Sequence, residues 1–181
     1  YTALALAETG YKIDSSVASQ RFDFFMSFGM KNKIKWLKAP RIPYFTAKDN
    51  LMKKGSGPII EVPLSACFFP YIGTTLRIFP FVSKIIRYLL MIENSINDKP
   101  IVFDIHPNEF IDESSEKRKI ERRSSSVLEY FLADFLRSRL KARNLGLSAF
   151  RLYKNELSVF HEKGFKAVTL KDYCLQTGLL K

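Results

Sequence analysis

Short apolar runs alternate with helical segments along most of this chain, and that alternation narrows the possible folds most. TALALAETG at 2–10 carries helix formers up to a glycine and feeds YKIDSSV, a short strand running into a polar loop. IIEVPLS at 59–65 is a strand cut by Pro63, IVFDIH at 101–106 is a buried strand, and FKAVTL at 165–170 is a fourth. Ile78, Val82, Ile85, Leu89 and Ile92 recur at the spacing of one helix face. That stripe predicts a core-facing helix, with a membrane-surface helix as the minor alternative. Further helices are expected over 126–146, over 147–164 with Phe150, Tyr153, Leu157 and Phe160 on one face, and from KDYCLQ onward. Residues 18–57 read as irregular, with APRIPYF at 39–45 extended and a turn at KKGSGP, and 111–126 as a charged loop. Strands that alternate with helices predict an α/β fold built on a parallel-type sheet or barrel. Four strands are few for a closed barrel, and the last strand and helix look like the closing unit of a larger one.

The chain has 181 residues, 46% hydrophobic and 26% charged, which suits one domain or a large part of one. No apolar run is long enough for a transmembrane helix, and the start of the chain lacks the pattern of a signal peptide. Cys67 and Cys174 have no paired spacing, so they predict neither a zinc framework nor a disulfide scaffold, and cytoplasm is the default compartment. The net charge of +11 could attract nucleic acid, anionic lipid or an acidic polymer. The basic residues are spread along the chain, however, and the dense run EKRKIERR carries two glutamates. No nucleic-acid-binding signature accompanies them, which argues against nucleic acid and for a solvated basic face.

Chemistry concentrates at IVFDIHPNEF, where a strand-like run ends in Asp104, His106 and Glu109. Sites in α/β folds gather at the carboxyl ends of strands. Asp104 and His106 share a face of the strand, and a histidine there can move a proton near neutral pH. Glu61 lies inside an apolar strand and needs a partner, for which Arg77 is a candidate. The plainer alternative makes these residues structural ion pairs and His106 a loop histidine. His161 falls in the last turn of a helix and reads as a terminal cap. Nucleophile-elbow and phosphate-loop motifs are absent, and two histidines without paired spacing make no histidine-based metal site.

Taken in order, LAETGYKIDSSV, IIEVPLS, GTTLRIFPF, IVFDIHPNEF and GFKAVTLKDY resemble the C-terminal half of NodB-like polysaccharide deacetylases, carbohydrate esterase family four. Members of that family read Gly-aromatic-x-x-Asp-Ser-Ser, then Glu-x-Pro, then a glycine-bearing stretch before Arg and Pro, then a strand ending in His-Pro. Residues 110–146 are the weakest part of the match. The resemblance implies a distorted (β/α)7 TIM-like barrel that removes N-acetyl groups from an amino-sugar polysaccharide with the help of a divalent metal, usually zinc. It implies that His106 protonates the leaving amine and sets Asp14 and Arg77 in family-like motifs, while Asp104, Glu61 and Glu109 are supporting candidates from their own positions. The family's metal ligands and base lie in an Asp-Asp motif and a His-x-x-x-His motif of the N-terminal half, and neither occurs here. The expectation is therefore that residues 1–181 are the C-terminal portion of one such domain, or a relative that lost the metal-binding half. They would bind no metal and be inactive until joined to that missing half.

Two other readings stand beside this one. The chain could be a non-catalytic basic module that binds an anionic glycan, a membrane surface or nucleic acid. It could also be a partner-binding remnant whose open strand edges are covered by self-association.

Overall fold

A computed structural model of the chain describes residues 2–19, 36–112 and 137–180, together with Val127, Tyr130 and Phe135. The chain opens with α1 (Thr2–Glu8), which stops where the sequence supplies a left-handed glycine. Gly10 has φ 85°, and Tyr11 N–H donates to the Leu6 carbonyl at 3.0 Å, closing the helix end. The turn leads into β1 (Ile13–Asp14).

Residues expected to be irregular instead form a hairpin, β2 (Tyr44–Ala47) and β3 (Asn50–Lys54), with a register shift between Thr46 and Ala47. Gly55 and Gly57 in the following turn lie flat against this hairpin. A Cβ on Gly57 would stand 2.7 Å from the Thr46 carbonyl oxygen, which explains the glycine.

Next comes β4 (Ile60–Glu61), which forms the middle of the sheet, parallel to β1 and antiparallel to β2. The fold is thus mixed α/β, and its small four-stranded sheet is itself mixed rather than parallel throughout. The hairpin explains the difference: its short connection forces β2 and β3 antiparallel.

A two-stranded ribbon of β5 (Ala66–Cys67) and β6 (Phe69–Pro70) precedes α2 (Gly73–Ile78) and α3 (Pro80–Asn97). Phe79, at φ −131° and ψ 69°, breaks the helix between them. That break corrects the expected core stripe. Ile78 belongs to α2, so its helical phase does not carry into α3. Within α3 the buried residues are Ser83, Ile86 and Leu90, while Ile85, Leu89 and Ile92 are exposed.

IVFDIH is extended and half-buried, joined to the body by one parallel bridge between Asp104 and Ile72 and by hydrogen bonds between Val102 and Ser65. A 3-10 turn, Pro107–Phe110, follows it. The charged loop expected over 111–126, and most of the helix expected over 126–146, lie outside the described residues. The described part of that helix is α4 (Arg137–Lys141). Then α5 (Leu147–Glu162) runs between Gly146 and Gly164, both at positive φ, as the sequence pattern predicts.

The strand expected over 165–170 is not formed. Residues 166–169 are exposed coil, and Thr169 is already committed to the next helix, α6 (Leu170–Gln176). Its hydroxyl accepts from Asp172 N–H at 3.1 Å and donates to the Asp172 carboxylate at 2.7 Å, so capping wins over extension.

Two apolar clusters hold these elements. Ile60, Val62 and Cys174 pack with Val102 and Tyr173, joining the sheet to α6. Tyr71, Ile86 and Leu90 pack with Phe103 and Phe160, joining α3 to the extended segment and α5. Among the described residues no helix is long and apolar enough to cross a membrane.

Candidate functional site

Register places three acidic groups in one row across the sheet. Asp14 is opposite Glu61 in the parallel pair, and Tyr44 is opposite Glu61 in the antiparallel pair. Cross-strand neighbours share a face, so the three side chains are brought together by strand pairing alone. Glu61 is fully buried, and its Oε1 accepts from Val17 N–H at 3.0 Å. Asp14 accepts from the Ser16 hydroxyl at 2.8 Å.

Burial, followed by its hydrogen bond with Asp14, pushes the Glu61 carboxyl up to about 9. At neutral pH Glu61 therefore keeps its proton. Burial, together with the charges of Glu61 and Asp14, also raises the Tyr44 phenol, whose hydroxyl donates to the Leu51 carbonyl. The partner of Glu61 is thus Asp14 and the Val17 amide rather than Arg77, which corrects the pairing considered from sequence.

Arg77 pairs instead with Glu109, at 3.2 Å between Nε and Oε2, and both side chains are buried. Glu109 also accepts from the Thr74 hydroxyl at 2.7 Å. Arg77 Nη1 donates to the Arg143 carbonyl, and Asn144 Nδ2 donates back to the Arg77 carbonyl, both at 2.7 Å. This knot fastens α2, the 3-10 turn and the approach to α5. Gly73 is required beside it, because a Cβ there would lie 2.1 Å from Glu109 Oε2. Pro107 and Glu109 in IVFDIHPNEF thus have a structural reason. Pro107 starts a turn in which Glu109 N–H reaches the His106 carbonyl at 2.9 Å, and the turn drives the Glu109 side chain onto Arg77.

Asp104 is half-buried, and its carbonyl receives Gly73 N–H at 2.7 Å. It lines a cavity of about 850 Å³ whose wall also includes Tyr71, Phe103, Tyr153, Glu156 and His161. His106 is exposed at the head of the 3-10 turn. The six residues singled out from sequence therefore form two pairs, Asp14–Glu61 and Arg77–Glu109. Asp104 stands on the cavity wall, and His106 lies on the turn that carries Glu109.

Sequence reasoning missed the polar centre of that cavity. Glu156 is buried on α5, accepts from the Tyr71 hydroxyl at 2.6 Å and pairs with Arg87. Burial and its bond to Glu156 hold the Tyr71 phenol well above its ordinary value. The available signal was position, since Glu156 falls between Tyr153 and Phe160 on the apolar face of its helix. His161, assigned as a helix cap, also borders the cavity.

A further ion triad lies apart from these groups. Glu93 binds Arg41 and Lys99; Lys99 Nζ is 3.0 Å from Glu93 Oε2. Burial lowers the Lys99 ammonium against the opposing pull of Glu93.

Among the described residues no group of three or more His, Cys, Asp or Glu side chains converges to hold a metal ion. A carboxyl pair that keeps a proton and is already engaged by Ser16 and Val17 is a poor donor set for a cation. Comparison with family models, with curated proteins and with solved structures gives no match.

Proposed function

We propose that the chain is the C-terminal part of a NodB-like polysaccharide deacetylase domain, contributing the proton donor for hydrolysis of N-acetyl groups on an amino-sugar glycan. The observation that carries the reading is the order of motifs along the chain, together with the grouping of their acids. Asp14 and Glu61 share a row on adjacent parallel strands, and the next extended segment ends in Asp104 and His106.

Loss of the acetyl group leaves an amine that must take a proton. His106 is exposed at a segment end, where an imidazolium can deliver that proton to a bound sugar. Asp104, two residues earlier, lines an aromatic-rich cavity whose size suits a sugar unit. Glu61 and Asp14 face one another across the register of β1 and β4. In this reading the barrel, its metal and its catalytic base are completed by residues preceding Tyr1.

The test is acetate release from an N-acetylglucosamine oligomer, measured for the 181-residue chain and for a chain extended through the preceding coding sequence. The expected result is release by the extended chain only, and its loss in His106→Ala. Release by the 181-residue chain alone, with stoichiometric zinc, would overturn the reading. So would an extended chain that is folded and inactive.

The net charge of +11 carries the second reading, a basic module for an anionic glycan. Binding to heparin that weakens steeply with salt, in a chain without hydrolytic activity when extended, would favour it.

A further inference from the structure

Helix α3 is apolar on two faces, and among the described residues only one of them is buried. Its inner face, Ser83, Ile86 and Leu90, is buried against Tyr71 and its neighbours. On its outer face Phe81 is 73% exposed, Ile85 46%, Tyr88 65%, Leu89 40%, Ile92 40% and Ile96 78%. Between Phe81 and Ile96 the only other exposed residues are Lys84 and Ser95. A solvent face with one charge over about 23 Å of helix is contrary to the usual amphipathic pattern. Contiguous apolar surface of this kind marks an interaction site.

The order of the residues says what covers it. Reversing the helix about the midpoint between Tyr88 and Leu89 exchanges Phe81 with Ile96, Ile85 with Ile92, and Tyr88 with Leu89. An antiparallel pair of identical helices related by a two-fold axis makes these contacts, each of them twice. The stripe is complementary to itself, as an isologous interface must be.

Standard side-chain sizes give roughly 600 Å² of exposed apolar surface per copy, so pairing two copies would bury about 1,200 Å², at the lower edge of a specific interface. A lipid surface fits less well. Helices that lie on anionic membranes flank their apolar face with several cations. Here Lys84 stands alone, and Arg87 is committed to Glu156.

We propose that the chain forms a two-fold dimer through the outer face of α3, with two copies of the helix packed antiparallel about Tyr88 and Leu89. This surface is independent of the deacetylase reading and can fail or hold without it.

The test is sedimentation equilibrium of the full chain and three variants, with circular dichroism melts to confirm folding. Wild type is expected to dimerise. Ile85→Lys and Ile92→Glu are each expected to raise the dimer dissociation constant about tenfold or more. The double variant is expected to regain dimerisation, because the introduced ammonium of one copy meets the introduced carboxylate of the other. On the same helix those two positions are two turns apart and cannot rescue one another internally. A wild-type chain that stays monomeric would overturn the proposal, as would folded single variants that dimerise like wild type. A double variant that fails to recover would overturn the antiparallel register. Monomeric wild type that instead co-sediments with phosphatidylserine vesicles would assign the face to a membrane surface.

Discussion

Asp14 and Glu61 stand opposite one another in the parallel β1–β4 register, and Glu61 there holds its proton up to about 9. A carboxyl group inside a strand is costly as an anion. The chain resolves this by neutralising Glu61 rather than by supplying a cation.

This proton makes stability depend on pH with a definite sign. Glu61 is held up to about 9 when folded and titrates near 4.5 when unfolded, so the folded state binds the extra proton across that window. Its contribution is fully present below about pH 4.5 and is lost as pH rises toward about 9, at about 1.4 kcal/mol per unit where the slope is greatest. Glu61→Gln keeps an acceptor for Val17 and a donor for Asp14 but cannot titrate. Urea unfolding of both proteins should show the variant gaining on wild type between about pH 6 and pH 9. Parallel curves across that range would exclude the raised Glu61 carboxyl.

The Arg77–Glu109 pair makes a different prediction. Its partners are buried on both sides, so removing one leaves an uncompensated charge in the interior. Arg77→Met should destabilise the chain by about 3–5 kcal/mol, read as a fall in denaturation midpoint. Arg77→Met with Glu109→Leu should recover much of the loss. A small effect of the single variant would mean that the pair is solvated.

Tyr71 and Glu156 fasten α5 to the stretch between β6 and α2 through one buried hydrogen bond. Tyr71→Phe removes its donor and should cost about 1–3 kcal/mol. The aromatic contacts of the ring with Phe103 and Phe160 remain, so the melt should stay cooperative. Thr169→Ala, which removes only a cap, should cost about 1 kcal/mol in the same measurement.

How far the fold could be read from the sequence followed how local its causes are. Gly10 and Gly164 end helices by their own backbone preference, and those boundaries were legible. The phase of α3 was not, because both of its faces are apolar and the break at Phe79 resets the count from Ile78. The β2–β3 hairpin lacks clean alternation, and its position is set by Gly55 and Gly57 lying against it, a tertiary contact. At the site, the sequence singled out Glu61 correctly as a carboxyl in need of a partner. It could not say which partner, since register alone brings Asp14 opposite it and leaves Arg77 to Glu109. Glu156 was overlooked because one acid on an amphipathic helix reads as surface until its neighbours are known.

The central claim, that these residues complete a deacetylase barrel begun upstream, is tested most directly by sequencing the coding region that precedes Tyr1. The account predicts an in-frame stretch carrying an Asp-Asp motif and a His-x-x-x-His motif. A start codon at or just before Tyr1, or an upstream stretch with neither motif, would contradict it.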